Sequence, residues 1–384
     1  MKRKDFIKGT IAGFILSTAL IMTSTAFVNK QYYINRKLEA IDALIDNYYI
    51  GKIDKKQMEE GIYKGFVSGV GDVYTTYYTK EELNDFRETS SGVYAGIGVQ
   101  MSVDQSDNTI SVTQVFKGSP AEDAGILPKD KIIKAAGKSV TGDDFEEVPK
   151  LIKGTPGTKV SVSIFRPSEN KVHTFDLVRN NVTFPTVEYK LVDGDIGYIR
   201  IIQFEEKTYD QFKEALNYIQ DKNAKSLIID VRNNGGGILS ITNKIIDELI
   251  PEGVIVSTKN KVGKVEVARS DKEYLDIPLV LLINENSASA SEILAGALKD
   301  HKRAKLVGET TFGKGLVQSV IPFEDGSGIK ITTSQYYTPN DICIQGIGID
   351  PDYKVSLNPE LLIRSNISEN EDAQLQKAIE LLKK

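Results

Sequence analysis

The stretch LVLLINENSASASEILAGAL, residues 279–298, decides the fold. Its first five residues, Leu279–Ile283, form an unbroken apolar run and read as a buried strand. That strand leads directly into Ser287-Ala288-Ser289-Ala290-Ser291-Glu292, a run of small residues that opens a helix. Further on, Thr311-Phe312-Gly313-Lys314-Gly315 holds a lysine between two glycines. In open α/β sheets, ligands sit beyond the carboxyl ends of strands, which is where these hydroxyls fall.

Working outward, the same alternation recurs upstream. Ile196–Phe204 is strand-like, Thr208–Gln220 is helical and Ser226–Val231 is a second buried strand. Arg232-Asn233-Asn234-Gly235-Gly236-Gly237 and another helix follow that strand. The expectation is an α/β (α+β) core over 185–356, an open sheet with covering helices. Residues 357–384 form a C-terminal tail, with a final helix over Glu369–Lys383 started by Ser368-x-x-Glu371.

Before the core, residues 90–180 alternate short β-like runs with Gly and Pro turns, as expected of a small, mostly β module. Its runs are Thr109–Val115, Lys131–Ala135, Lys159–Phe165 and Val172–Val178. Residues 31–86 read as helical, with Leu38, Ile41, Leu44, Ile45 and Tyr48 on one stripe, and Met58, Ile62, Phe66 and Val70 on another. Asp72-Val73-Tyr74-Thr75-Thr76-Tyr77-Tyr78 reads as a packing cluster at a turn. At the N-terminus, a basic segment (1–8) precedes an uncharged run over 9–28. That pattern marks a membrane anchor or a signal peptide, with the basic end cytoplasmic and the rest outside the cytoplasm, or secreted if cleaved.

Composition narrows the chemistry. The 384 residues carry 48 Lys and Arg against 53 Asp and Glu, a net charge of −5, with no basic stripe for nucleic acid. Two histidines and one cysteine leave no disulfide framework and no His- or Cys-rich metal site. No metal and no cofactor is expected. Cys343, in an apolar run, reads as a small buried residue.

Serine needs a base to take its proton, and lysine can serve once burial makes it neutral. Residues 314–321 look like a strand, so Lys314, Leu316 and Gln318 share a face and Gln318 can orient the lysine without adding charge. Ser287 resembles a helix N-cap, and Ser289 falls in the first turn, which favours developing negative charge. Local spacing leaves Ser289 and Ser291 equivalent as nucleophiles. The amide of Ala290, with one from Gly236 or Gly237, can form an oxyanion hole.

Two resemblances refine this picture. Tyr94-Ala95-Gly96-Ile97-Gly98-Val99 and Gly118-Ser119-Pro120-Ala121-Glu122-Asp123-Ala124-Gly125 together resemble a PDZ domain. Such domains hold a partner's C-terminus beside a glycine loop as an added strand. Lys129-Asp130 stands where Gly-Asp is usual. SASASEILAGAL followed by TFGKGLVQ resembles the C-terminal processing peptidases, or tail-specific proteases. That resemblance implies Ser289 as nucleophile, Lys314 as general base, Gln318 as its companion, and Gly236 as the glycine-loop donor beside Ala290. It also implies a crotonase-like core with an inserted PDZ domain, and substrates with unstructured C-termini. A regulatory partner protein and a homodimer through the helical ends are further expectations. The competing reading is a catalytically inactive, membrane-tethered PDZ scaffold. Gly308 to Lys314 imitates a phosphate-binding loop, but Gly315 replaces the hydroxyl that would hold Mg²⁺.

Overall fold

The computed structural model describes residues 33–358 and 367–383. The expected anchor or signal segment, 9–28, lies outside them, as does the basic segment 1–8. Among the described residues, no helix is long and apolar enough to cross a membrane. The chain divides into two units, Met1–Gly65 and Phe66–Lys384.

In the first unit a helix spans 33–48 and a second starts at Lys55. Lys55 Nζ pairs with Asp42 at 2.6 Å and Asp46 at 2.7 Å across the turn between them. Ile41, Leu44 and Tyr48 stay exposed on the first helix.

The second unit departs from the reading of 31–86 as helices joined at a turn and packing cluster. Thr76–Tyr78 is a strand, antiparallel to Gly328–Tyr337, with Thr76 opposite Lys330. Threonine and tyrosine suit a pleated, half-buried surface, and the partner strand lies some 250 positions away in sequence, invisible to a local reading. Helix Lys80–Ser91 follows, set by a reciprocal cap between Thr79 and Glu82 and stopped at Gly92, φ +66°.

Val93–Gly96 and Asn180–Thr183 then pair antiparallel as a neck. Between them five strands, Val99–Asp104, Thr109–Val115, Lys131–Ala135, Lys159–Arg166 and Lys171–Val178, with a short sixth, Lys138–Ser139, on Lys131–Ala135, build an antiparallel sheet. Ile110, Ile132 and Ile164 fill its core. Lys129 adopts φ +76°, a conformation that favours glycine, and the following Asp130 is buried against Arg166.

The core is a six-stranded sheet in the order Val187–Val192, Ile196–Ile201, Ser226–Asp230, Leu279–Ile283, Lys305–Gly308, Tyr353–Lys354. Only the first pair is antiparallel. Continuous apolar runs arise because both faces are covered. Leu227, Ile229, Leu281 and Ile283 face helices Thr208–Asp221, Leu239–Asp247 and Ala290–Asp300. Ile228, Val280, Leu282 and Val307 face Leu375, Ala378 and Ile379 of a C-terminal helix, Ala373–Leu382. That helix starts later than the expected Glu369. Asp372, not Ser368, caps it, because the Asp372 carboxylate accepts from the Leu375 amide at 3.0 Å. Its apolar face packs against the sheet.

Candidate active site

Strand Leu279–Ile283 ends in a turn braced by Ser287, whose hydroxyl accepts from the Asn284 amide at 3.0 Å and donates to the Val231 carbonyl at 2.8 Å. Ser287 therefore ties two strand ends together and does not cap the helix. The N-cap of Ala290–Asp300 is Ser289, at φ +55°, ψ −113°, a conformation L-residues rarely adopt. Ser291 is fully buried, its hydroxyl donating to the Asn234 carbonyl at 2.9 Å. Burial separates the two candidate serines that sequence left equivalent.

One carboxylate organises the centre. Glu292 is fully buried and accepts four hydrogen bonds. Oε2 takes the amides of Ser289 and Lys314, both at 2.8 Å. Oε1 takes the Thr311 hydroxyl at 2.6 Å and the Gly313 amide at 2.7 Å. The buried Tyr336 hydroxyl shares its proton between the carbonyls of Ser289 (3.1 Å) and Lys314. Serine cap and lysine loop are thus locked to each other through backbone groups, which leaves their side chains to the cavity.

A cavity of about 380 Å³ is lined by Ser289, Ala290, Lys314 and Gln318, with Gly235 and Gly237. Lys314 precedes its strand, which starts at Leu316 and not at the lysine, and a bulge lies between Val317 and Gln318. The Gln318 amide donates to the Thr332 hydroxyl at 3.3 Å. Burial lowers the Lys314 amine, and Lys330 lowers it further, while Asp72 and Glu292 oppose them. Lys314 Nζ sits 4.5 Å above the Tyr74 ring. The tyrosine cluster read from sequence as packing thus reaches the lysine. The dense run of aromatic and β-branched residues was its only signal.

In the glycine loop, Gly236 adopts φ +105°, and a Cβ there would fall 2.9 Å from Ser289 Cβ and 3.0 Å from the Ala290 nitrogen. Its own amide donates to Asn234 Oδ1 at 2.8 Å. Upstream, Arg232 forks onto buried Asp230 (2.6 Å) and Asp372 (2.8 Å), tying the root of the loop to the C-terminal helix.

In the β module, Tyr94, Ile97, Gly98 and Val99 line a groove of about 260 Å³ with Phe116 and Ile152. Ala95 and Gly96 instead pair with Asn181 and Asn180 in the neck. Burial pushes the Tyr94 hydroxyl up to about 12, although the amides of Val99 and Gly98 bond toward it.

Residues 195–355 match the model of peptidase family S41, and 95–178 that of a PDZ domain. A "Probable CtpA-like serine protease" of Staphylococcus aureus is 35% identical, over 92% of this chain and 73% of that protein. A "Carboxy-terminal-processing protease" of Bartonella bacilliformis is 34% identical, over 90% and 81%. The crystal structure of a Bacteroides fragilis protein described as an S41 protease shares the fold, with TM-score 0.55 at 15% identity, over 87% of this chain and 92% of that one.

Proposed function

Since the chain belongs to the C-terminal processing serine proteases of peptidase family S41, we propose that it cuts proteins near their C-terminal tails with Ser289 as nucleophile and Lys314 as base. The observation that carries this reading is the Glu292 carboxylate, which accepts from the amides of both Ser289 and Lys314 at the wall of one cavity. Burial, with Lys330 beside it, lowers the Lys314 amine and so favours the unprotonated form that takes the Ser289 proton. The serine oxygen attacks the peptide carbonyl. Amides of Ala290 and the glycine loop receive the oxyanion, and for Gly236 this means exchanging its bond to Asn234. The intermediate collapses, and the Lys314 ammonium protonates the departing amine. Water then attacks the acyl-enzyme, Lys314 taking its proton, and as the bond to Ser289 breaks Lys314 returns that proton to the serine oxygen and the acid leaves. Gln318, uncharged at the cavity wall, steadies the lysine without holding its proton. The PDZ groove around Tyr94, Ile97, Gly98 and Val99 captures the substrate C-terminus by strand addition. Read as an anchor or signal, segment 9–28 would put this chemistry outside the cytoplasm.

The test is cleavage of a protein with a disordered, apolar tail, followed by mass spectrometry of the fragments. Ser289→Ala and Lys314→Met abolish cutting, while Ser291→Ala, if folded, retains it. Cutting that persists in Ser289→Ala would sink the assignment. Amidating the substrate's terminal carboxylate weakens cleavage, and no effect would remove the PDZ from tail capture.

A further inference from the structure

Between the PDZ groove and Ser289 lies a third cavity, of about 240 Å³. It shares Gln203 and Glu205 with the catalytic cavity, and Tyr94, Lys153 and Phe184 with the PDZ groove. The shared lining makes this chamber a route from the groove to Ser289.

Its wall contains an anomaly. Glu205 is only 5% exposed, and its Oε2 has no hydrogen-bond partner. The backbone around it is fixed, the Glu205 amide donating to the Thr208 hydroxyl at 2.8 Å. Gly92 makes room, since a Cβ there would fall 2.6 Å from that oxygen. A buried carboxyl without a partner is costly, and such groups in native proteins ask for an explanation. Among the described residues no cation pairs with Glu205. Lys153 lines the same chamber but is held by Glu88 at 3.2 Å, and Lys314 and Lys330 line the catalytic cavity. The chamber therefore presents two carboxylates, Glu88 and Glu205, and one cation already paired. Phe184 supplies a flat apolar wall for an aliphatic stem, and Tyr94 a second, with Lys153 Nζ 5.4 Å from its ring centre.

We propose that this chamber is a side-chain subsite for a lysine or arginine of the substrate tail, with Glu205 as its counter-charge. The proposal rests on the peptidase reading and names the substrate feature that the peptidase selects. An arriving ammonium or guanidinium gives the carboxylate the partner it lacks. Because burial pushes the Glu205 carboxyl up to about 7, binding a cation releases a proton near neutrality.

Tail peptides differing at a single position, scanned between the cut and the C-terminus, would carry lysine, norleucine or glutamate there. Two readouts are taken: kcat/KM with the full chain, and affinity for the Ser289→Ala chain by fluorescence anisotropy. At one position lysine should exceed norleucine by about ten- to a hundredfold, the span of a buried charge-assisted bond, with glutamate lowest. Glu205→Gln brings the lysine-to-norleucine ratio toward one, and Glu205→Lys inverts the lysine-to-glutamate order. Glu205→Asp retains a smaller lysine preference, which covers the case of a Gln variant that does not fold. Equal lysine and norleucine at every position, or a preference unchanged in Glu205→Gln, overturns the subsite. Failure of the peptidase reading looks different. No peptide is cut by the full chain, or Ser289→Ala still cuts, while the affinity ratio continues to report on Glu205.

Discussion

Lys314 can act as a base only in molecules whose amine is neutral, so the groups around it set the acid limb of the pH–rate profile. Those groups come from every element that meets the lysine: Asp72 and Tyr74 before strand Thr76–Tyr78, Glu292 on the serine helix, and Lys330 and Tyr336 on Gly328–Tyr337. Glu205 lines the same cavity. Lys330 carries a like charge that favours the neutral amine, and Asp72 carries the opposite one. Lys330→Met therefore moves the acid limb of kcat/KM to higher pH, and Asp72→Asn moves it to lower pH. Shifts of the same sign in both variants would refute this electrostatic account. Glu292 poses a separate question, since its four donors leave no room for an amide. Glu292→Gln presents an NH₂ to N–H groups, orphaning at least one buried donor. It should cost about 2–5 kcal/mol in denaturant unfolding and remove cleavage in the fraction still folded.

At the scale of elements, the glycine loop and the serine helix meet too closely for any side chain. A Cβ at Gly236 would stand 2.8 Å from the Ala288 carbonyl oxygen as well as against Ser289 and Ala290, at a φ of +105°. Gly236→Ala is expected to lower kcat by about a hundredfold, the scale of one oxyanion donor, with far-UV circular dichroism unchanged. A fall in KM alone would argue against the loop's role. How these elements could be read from sequence follows the same division. Leu279–Ile283 and Ser226–Asp230 were legible because a strand covered on both faces must be apolar throughout. The helix that follows Ser289 was legible from its small residues. The first turn was not: sequence favoured Ser287 as the cap, but the helix start is set by the distant Gly313–Lys314 amides converging on Glu292. Thr76–Tyr78 was misread for a related reason, because its partner strand is remote. Glu205 carried no signal, since a glutamate in a polar-looking stretch shows its burial only once the neck and the PDZ groove enclose it.

For the whole molecule, buried carboxylates of opposite character shape stability. Burial alone would raise the Asp230 carboxyl, but the Arg232 guanidinium and the Tyr198 hydroxyl hold it below its ordinary 3.8. Its contribution is present above that value and is lost as acid protonates it. Removing the guanidinium by Arg232→Met strands Asp230 and Asp372 together, at a cost of about 3–5 kcal/mol, and should loosen the C-terminal helix first in hydrogen exchange. Glu205 has the reverse sign. Burial pushes it from 4.5 up to about 7, so the folded chain binds its proton more tightly than the unfolded chain does. That stabilisation is complete below 4.5 and disappears as pH rises through about 7. The loss should reach about 2–3 kcal/mol, read as a falling Tm across that window. Glu205→Gln flattens this decline while leaving the acid side, governed by Asp230, in place. A lysine-bearing tail peptide at pH 8 should return part of the lost Tm to the wild-type chain and none to Glu205→Gln, because only the ionised carboxylate gains from the cation. An equal Tm gain in both chains would place the peptide elsewhere and separate the pH dependence of stability from substrate recognition.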